Sequence, residues 1–375
     1  MNDIARLQLA FNLMQQQRHG AAREVVNDVL ALSPNNVEAI HLLGLISKQE
    51  GDAVQAESLL RRSIVLQPRR AEFRANLATL LRRQQRLQEA LREYEAAIAI
   101  DPQHRPALLG LAQASNESRS FAAAEQHARA LVNVARNDAA AWSVLAAALR
   151  GQNRFGEAEA AYQEAIAKNQ RSAIAHHNLG AMYAQLDRAE EALAELAKAK
   201  QLGATGYEVA LNTAHALFKL YRFDAAEASY VEAVRLAPGN IDAQRSLSRL
   251  RFMRGDPEFA RDLRAATALH PQDERLQLTL ADVLRTSGNL EEAKSFLLQL
   301  LAHQPNHPHF HAALAAVYVD GARFVEAEPH ARLAARALLG VAAICELLVM
   351  ICLALEKTDE AMSLIQRQRA SNPFE

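Results

Sequence analysis

The chain has little cysteine, few aromatic residues and no excess of charge of either sign. Two of its 375 residues are cysteines, Cys345 and Cys352, and aromatic residues make up 5% of the sequence. The two cysteines lie on one predicted helix, about 10 Å apart along its axis, which is too far for a disulfide bond. Both fall at core positions, so packing is favoured over a metal or redox pair, and the absence of disulfides favours a cytoplasmic location.

The charge balance argues against one class of partner. The formal net charge is -1 and the isoelectric point is near 6.9, whereas a nucleic-acid-binding surface normally brings a clear excess of Lys and Arg. We therefore expect no nucleic-acid partner. About a fifth of the residues are Ala, which has the highest helix propensity, and β-branched residues are sparse. The composition thus predicts closely packed helices rather than a sheet.

Signals for secretion or membrane insertion are missing. Residues 1–17 resemble an amphipathic helix and have neither the basic start nor the apolar core of a signal peptide. The longest apolar run begins at Leu338 and ends at Leu355, but Glu346 interrupts it. Its length is marginal for a membrane span. We therefore expect a buried helix in this run and no membrane span.

Residues 173–206 have the pattern of a helical hairpin. Leu179, Gly180 and Tyr183 lie on one face of a first helix, and a second apolar set follows a break at residues 186–188. Two amphipathic helices joined by a short turn form such a hairpin. The second set consists of Ala192, Leu196 and Ala199.

Prolines indicate that the hairpin recurs. Pro34, Pro68 and Pro102 are 34 residues apart, and a proline just after a helix cannot continue it. The period divides the chain into units 3–36, 37–70, 71–104, 105–138, 139–172, 173–206, 207–240, 241–273, 274–307, 308–341 and 342–375. The eighth unit is one residue short, and we expect Asp256 and Pro257 to open its second helix, where proline is tolerated.

One position that was not used to set the period supports this division. The twentieth residue of every unit is alanine: Ala22, Ala56, Ala90, Ala124, Ala158, Ala192, Ala226, Ala260, Ala293, Ala327 and Ala361. The eighth residue is small in every unit except the last, which has Val349. Small residues at both positions predict that the two helices of each hairpin cross closely.

This hairpin resembles the tetratricopeptide repeat, whose 34-residue pattern places Trp, a Leu-Gly pair, Tyr and a later Ala at fixed offsets. In residues 173–206 His176 stands at the Trp position. The resemblance implies an all-α fold, a right-handed superhelical solenoid of tandem helix-turn-helix hairpins, forming a single domain over residues 1–375. It also implies a protein-interaction scaffold whose first helices line a concave groove.

The resemblance points to positions 2, 5, 6, 9, 12 and 13 of each unit as ligand contacts. The residues predicted to form the groove are Asn76, His177, Asn178, Asn212, His215, Phe218, Arg245, Arg249 and Phe252. Asparagine amides can pair with a peptide backbone, and two arginines one turn apart can bind a carboxylate. We expect a partner protein or an extended peptide as ligand, with a solvated polar inner face as the alternative.

Motifs for metal binding and catalysis are weak. The stretch from His303 to His311 is rich in histidine, but no Cys or carboxylate stands at the usual ligand spacing, and His309 and His311 are too close to share a helix face. We interpret it as a solvated turn and expect no metal and no cofactor. The sequence has no glycine-rich phosphate loop, nucleophile elbow or Cys–His dyad, so we expect no enzymatic activity in these residues.

The C-terminal end leaves alternatives open. Residues 340–355 are nearly all apolar, one covering helix is predicted over residues 359–369, and Asn372 and Pro373 repeat the signal that precedes other units. A free solenoid normally ends in a polar cap. Either a further domain follows Glu375, or this face docks on a partner or on a second copy through the run from Leu338 to Leu355. Similar bacterial arrays often precede a glycosyltransferase, sulfotransferase or iron- and 2-oxoglutarate-dependent oxygenase domain, so the alternative function is recruitment of substrate for such an enzyme.

Overall fold

The computed structural model describes residues 2–338 and 341–371, with side chains described up to residue 366. Every regular element in this part of the chain is an α-helix, which confirms the all-α fold of helical hairpins. The helices are α1 (Asp3–Gln15), α2 (His19–Leu32), α3 (Val37–Glu50), α4 (Ala53–Leu66), α5 (Ala71–Arg83), α6 (Leu87–Ile100), α7 (Arg105–Glu117), α8 (Phe121–Val134), α9 (Ala139–Gly151), α10 (Phe155–Lys168), α11 (Ala173–Gln185), α12 (Ala189–Gln201), α13 (Tyr207–Lys219), α14 (Phe223–Leu236), α15 (Ile241–Met253), α16 (Arg261–Leu269), α17 (Glu274–Thr286), α18 (Leu290–His303), α19 (Pro308–Asp320), α20 (Phe324–Ala337), α21 (Ala342–Ala354) and α22 (Thr358–Ser371).

The helices fall into two compact units. The first unit holds α1 to α11 together with residues 194–204, and the second holds residues 187–193 together with α13 to α22. In the first unit each helix packs on the next one in the chain, and α1, α3, α5, α7, α9 and α11 also form a continuous row. In the second unit α15, α17, α19 and α21 form such a row. Each unit is therefore a stack of hairpins, as in a solenoid.

Alanine sets the close approach of the two helices in each hairpin. All eleven alanines predicted at position 20 have 0% exposure. At position 8 the fit is equally tight, because a β-carbon built on Gly44 lies 3.2 Å from Cγ of Leu60. The prediction that small residues lie where the helices of a hairpin cross is confirmed.

A recurring hydrogen bond ties several hairpins to the loop that precedes them. At position 4 of five units, a side-chain nitrogen donates to the backbone carbonyl oxygen six residues earlier. The bonds run from Trp142 to Arg136 (2.9 Å), from His176 to Gln170 (3.2 Å), from Gln244 to Pro238 (3.0 Å), from Gln277 to Pro271 (2.7 Å) and from His311 to Pro305 (2.9 Å). In these five units His and Gln at the Trp position make the same bond to the preceding loop that Trp142 makes.

The start of the second helix in the unit 241–273 was predicted wrongly. Asp256 and Pro257 do not open α16, which begins at Arg261. The Asp256 carboxylate accepts a hydrogen bond from the backbone N–H of Glu258 at 2.8 Å. The N–H of Arg261 in turn donates to the carbonyl oxygen of Glu258 at 2.9 Å. The N–H of Phe259 likewise donates to the carbonyl oxygen of Asp256 at 3.2 Å. These two backbone bonds span three residues rather than the four of an α-helix, so residues 257–260 form tight turns before α16 begins.

The apolar run near the C-terminus forms a short helix. No helix in the described ranges is long and apolar enough to cross a bilayer. Helix α21 buries Ile344, Leu348, Ile351 and Cys352, while Met350 is 46% exposed. Burial raises the pKa of the Cys352 thiol. The predicted covering helix lies within α22, whereas Gly340, Asn372, Pro373 and Glu375 lie outside the described residues.

Candidate peptide-binding groove

The first unit contains a cavity of about 480 Å³, lined mainly by α7, α9 and α11 and named here the α7–α11 groove. The lining residues are Arg82, Gln113, Asn116, Glu117, Asp138, Ala139, Ala140, Ser143, Val144, Ala147, Asn169, Ser172, Ile174 and Asn178. Ten of these fourteen residues stand at positions 2, 5, 6, 9, 12 or 13 of their units. These are the positions that the sequence pattern assigns to the ligand-binding surface.

The groove exists because α9 presents small side chains to it. Ala140, Ser143 and Ala147 line the floor, and none of them extends beyond Cβ by more than one heavy atom. The opposite faces of α9 are fully packed, since Ala146 and Ala148 have 0% exposure. Helix α9 is therefore packed on the side away from the groove, while the side that faces the groove leaves space.

Two carboxamide side chains flank this floor. Asn116 on α7 donates from Nδ2 to the carbonyl oxygen of Val144 at 3.2 Å. Its Oδ1 is buried and has no hydrogen-bond partner among the described residues. Leaving a buried acceptor unsatisfied costs about 1–3 kcal/mol. Asn178 on α11 is half-buried and lines the same groove, so the site offers amide groups on both sides of α9.

Charged residues at the rim of the groove are paired with each other. Arg82 Nη1 lies 2.8 Å from Glu117 Oε1, and Arg105 Nη2 lies 2.8 Å from Asp138 Oδ2. Asp138 also caps α9, because its Oδ1 accepts a hydrogen bond from the N–H of Ala140 at 2.9 Å. Exposed ion pairs of this kind contribute only about 0–1 kcal/mol. The rim is thus nearly neutral and readily rearranged.

The other predicted residues of the first unit are engaged elsewhere. Asn76 on α5 is bonded through Nδ2 to Nε2 of His41 at 3.0 Å. Burial, with smaller contributions from neighbouring cations, lowers the pKa of His41 to about 4. The imidazole therefore stays neutral and accepts this bond. His177 is next to Asn178 in sequence, but it has an interaction of its own and does not line the groove.

Three ring-bearing residues predicted on α13 and α15 pack largely on the protein itself. His215 Nε2 lies 3.3 Å from Oγ of Ser246, and burial lowers the pKa of His215. The phenyl rings of Phe218 and Phe252 form edge-on contacts, Phe218 with Phe223 (5.6 Å) and Phe252 with Phe259 (5.4 Å). Phe252 remains 43% exposed. These rings stabilise the second unit more than they offer an open apolar pocket.

The remaining predicted residues of the second unit give a basic patch. Arg245 and Arg249 lie one turn apart on α15 and are exposed, and no ion pair with a described residue involves either of them. Asn212 on α13 is half-buried and has an interaction of its own. Of the nine predicted residues, Asn178 is the one that lines the α7–α11 groove.

Sequence reasoning missed Asn116. The position rule covers it, since it is the twelfth residue of the unit 105–138. The predicted residues come from the units 71–104, 173–206, 207–240 and 241–273, and none of them comes from the unit 105–138. Applying the same positions to α7 and α9 would have found both Asn116 and the small residues of the floor.

A second, larger cavity of about 750 Å³ lies among α16, α17 and α18. Leu280, Phe296 and other apolar residues form its wall. Some of its polar side chains are bound within the protein: Gln277 donates to the carbonyl oxygen of Pro271 at 2.7 Å, and Arg264 pairs with Glu292 at 2.9 Å.

Known protein families match the chain over a long central region. The model described as the middle TPR-like domain of cilia and flagella-associated protein 70 matches residues 48–154. One tetratricopeptide repeat model matches residues 143–207 and 211–274, and another matches residues 260–317. No curated protein sequence gives a significant match.

Solved structures show the same fold at low sequence identity. A tetratricopeptide repeat protein from Parabacteroides merdae is 16% identical with a TM-score of 0.55, covering 66% of this chain and 98% of that chain. Yeast Tom70 is 14% identical with a TM-score of 0.52, covering 98% of this chain and 91% of that chain. At such identities the likeness concerns the fold alone.

Proposed function

The chain belongs to the tetratricopeptide repeat family, and from this premise we propose that it is a scaffold that binds an extended segment of a partner protein in the α7–α11 groove. Family members serve in general as protein-interaction scaffolds, and stacked hairpins create the extended surface that such binding uses. Within that surface, the proposed binding site is the α7–α11 groove.

The buried, unpartnered Oδ1 of Asn116 carries this proposal. This atom is covered in the unbound chain, so the Asn116 side chain must first rotate toward the groove. A peptide N–H that then donates to Oδ1 would remove the cost of an unsatisfied acceptor, which is about 1–3 kcal/mol. Across the floor, Asn178 has both a donor and an acceptor for the next peptide group. The small side chains of Ala140 and Ala147 allow a backbone to approach α9 closely. The expected ligand is therefore a peptide recognised through its main chain, with weak dependence on its side chains.

The charges of the groove support a peptide over a polyanion. Arg82 and Arg105 are each paired with a carboxylate at 2.8 Å, so the rim is nearly neutral and lacks the excess of positive charge that a phosphate backbone attracts. We accordingly propose a scaffold that is not catalytic, does not bind nucleic acid and works in the cytoplasm. Recruitment of substrate for a catalytic domain beyond Glu375 stays the alternative, and docking through residues 338–355 stays a prediction.

The test uses a random peptide library displayed on phage and selected against the full chain. The dissociation constants of enriched peptides are then measured by fluorescence polarisation. Asn178→Ala should weaken binding about 3–10-fold, the loss expected for a hydrogen bond of roughly 1 kcal/mol. Ala147→Leu, which fills the floor, should weaken it more strongly.

His177→Ala is the matched control, because this residue shares α11 with Asn178 and lies outside the groove lining. It should leave peptide affinity unchanged. Melting temperatures of the three variants should equal that of the parent chain within error. Selected peptides that bind Ala147→Leu as tightly as the parent chain would refute the groove assignment.

A further inference from the structure

The starts of α17 and α19 bring together two histidines and a carboxylate. Glu274 is the first residue of α17, and His307 and His309 flank the first residue of α19, Pro308. One ligand-type atom from each of the three side chains lies within 4.8 Å of the other two. The sequence had given these histidines no carboxylate at the usual spacing, because Glu274 comes from the preceding hairpin.

The distances within this cluster are close to those of a zinc site. Oε1 of Glu274 lies 2.8 Å from Nδ1 of His309, and Oε2 lies 3.5 Å from Nε2 of His307. Zinc binds nitrogen and oxygen at about 2.0–2.1 Å in tetrahedral geometry, which places neighbouring ligand atoms about 3.3 Å apart. Bringing the most distant pair to that separation requires a movement of at most about 1.5 Å.

The least exposed ligand is held in position by its surroundings. The ring of His307 stacks on Phe310 with centroids 4.0 Å apart, and Phe310 is 1% exposed. Pro308 fixes the backbone that follows His307. His307 Nδ1 is buried without a partner in the described structure, so Nε2 is the nitrogen that faces the carboxylate. His309 is 49% exposed and free to make the remaining adjustment.

We propose that Glu274, His307 and His309 form a site for a divalent transition-metal ion, with zinc as the expected occupant, that joins the first helices of two neighbouring hairpins. Two imidazoles and one carboxylate are a ligand set that zinc accepts, and three protein ligands leave one coordination position for water. Imidazole ligands select against calcium and magnesium, which prefer oxygen. The partial positive charge of the two helix starts weakens binding, but Glu274 brings a full negative charge into the site.

The test is titration of the full chain, first stripped of metal, with zinc chloride in a calorimeter. We expect one zinc ion per chain and a higher melting temperature with zinc. His309→Ala should lower zinc affinity at least about 100-fold, since loss of an outer-sphere partner alone costs 10–100-fold. Glu274→Gln should also lower it. X-ray absorption of the zinc complex should show two imidazole ligands at about 2.0–2.1 Å.

His303→Ala is the control, because His303 belongs to the same histidine-rich stretch but lies outside the cluster. Its zinc affinity should match that of the parent chain, and magnesium chloride should give no stabilisation. If the parent chain binds no stoichiometric zinc, the contact between Glu274 and His309 is a side-chain contact and not part of a metal site. If His309→Ala and Glu274→Gln keep the parent affinity, zinc binds elsewhere. Either result overturns the proposal and leaves the α7–α11 groove untouched.

Discussion

Gly110 on α7 makes room for a buried tyrosine, and replacing it with alanine tests how rigidly that ring is held. A β-carbon built on Gly110 would lie 2.5 Å from the hydroxyl oxygen of Tyr94 and closer still to two of its ring carbons. Tyr94 is 1% exposed, and its hydroxyl oxygen lies 2.9 Å from Oγ1 of Thr79. The ring is therefore enclosed by neighbours and anchored at its tip, so the alanine methyl group must displace it.

Opposing effects determine the size of the change. Alanine in place of glycine within a helix stabilises it by about 1 kcal/mol. Overpacking a well-packed core costs about 1–3 kcal/mol, and losing the hydrogen bond between Tyr94 and Thr79 costs about 1 kcal/mol more. We expect Gly110→Ala to lower the free energy of unfolding by about 1–3 kcal/mol.

Urea unfolding followed by circular dichroism measures this change, with Gly156→Ala as the matched control. A β-carbon built on Gly156, in α10, meets no heavy atom within 4 Å. That variant should gain up to about 0.5–1 kcal/mol from helix propensity. If Gly110→Ala is as stable as Gly156→Ala, the Tyr94 ring can leave its site at no cost and the packing argument fails.

Two further predictions concern buried polar side chains. Folding lowers the pKa of His41 from 6.5 to about 4, so the unfolded chain binds a proton at His41 more tightly than the folded chain does. The free energy of unfolding should therefore be unaffected by His41 above pH 6.5 and should fall as the pH drops from 6.5 to about 4. This loss is about 3 kcal/mol for such a shift. Urea unfolding at pH 6.5 and at pH 4 should show it in the parent chain and should not show it in His41→Gln. Gln277→Leu should lower stability by about 1–3 kcal/mol by leaving the Pro271 carbonyl oxygen unpaired. Gln277→His should keep most of that stability in thermal melts, and equal loss in both variants would contradict the role of the hydrogen bond.

The helices and their crossings could be predicted from sequence because they depend on spacing along a single hairpin. Apolar residues at helical intervals define the buried face, and the alanine at position 20 defines where two helices touch. The start of α16 could not be predicted in this way. There the backbone N–H groups of Phe259 and Arg261 bond three residues back, to Asp256 at 3.2 Å and to Glu258 at 2.9 Å, so the chain forms tight turns where Asp256 and Pro257 would allow a helix start.

Sites built from several hairpins were harder to predict. No carboxylate stands near His307 and His309 at the spacing usual for metal ligands. Glu274 precedes them by more than thirty residues in sequence and lies close to them only because α19 packs on α17. Asn76 shows a different difficulty. Its position matches the predicted ligand-binding face, but Nε2 of His41 on the neighbouring α3 already lies 3.0 Å from its Nδ2. A position rule identifies the face of a helix and cannot say which side chains on that face are already bound.

Side-chain size at two positions of the repeat contributes to the space in the groove. In the unit 139–172 positions 5 and 9 hold Ser143 and Ala147, and the first unit has a cavity of about 480 Å³ in front of them. In the unit 207–240 the same positions hold Leu211 and His215, which pack against the core of the second unit and against Tyr230. Ser143 and Ala147 leave a backbone room to reach the amides beside them, whereas Leu211 and His215 fill the corresponding space. We therefore expect peptide binding in the α7–α11 groove to depend on the small size of Ser143 and Ala147 as much as on the amides beside them.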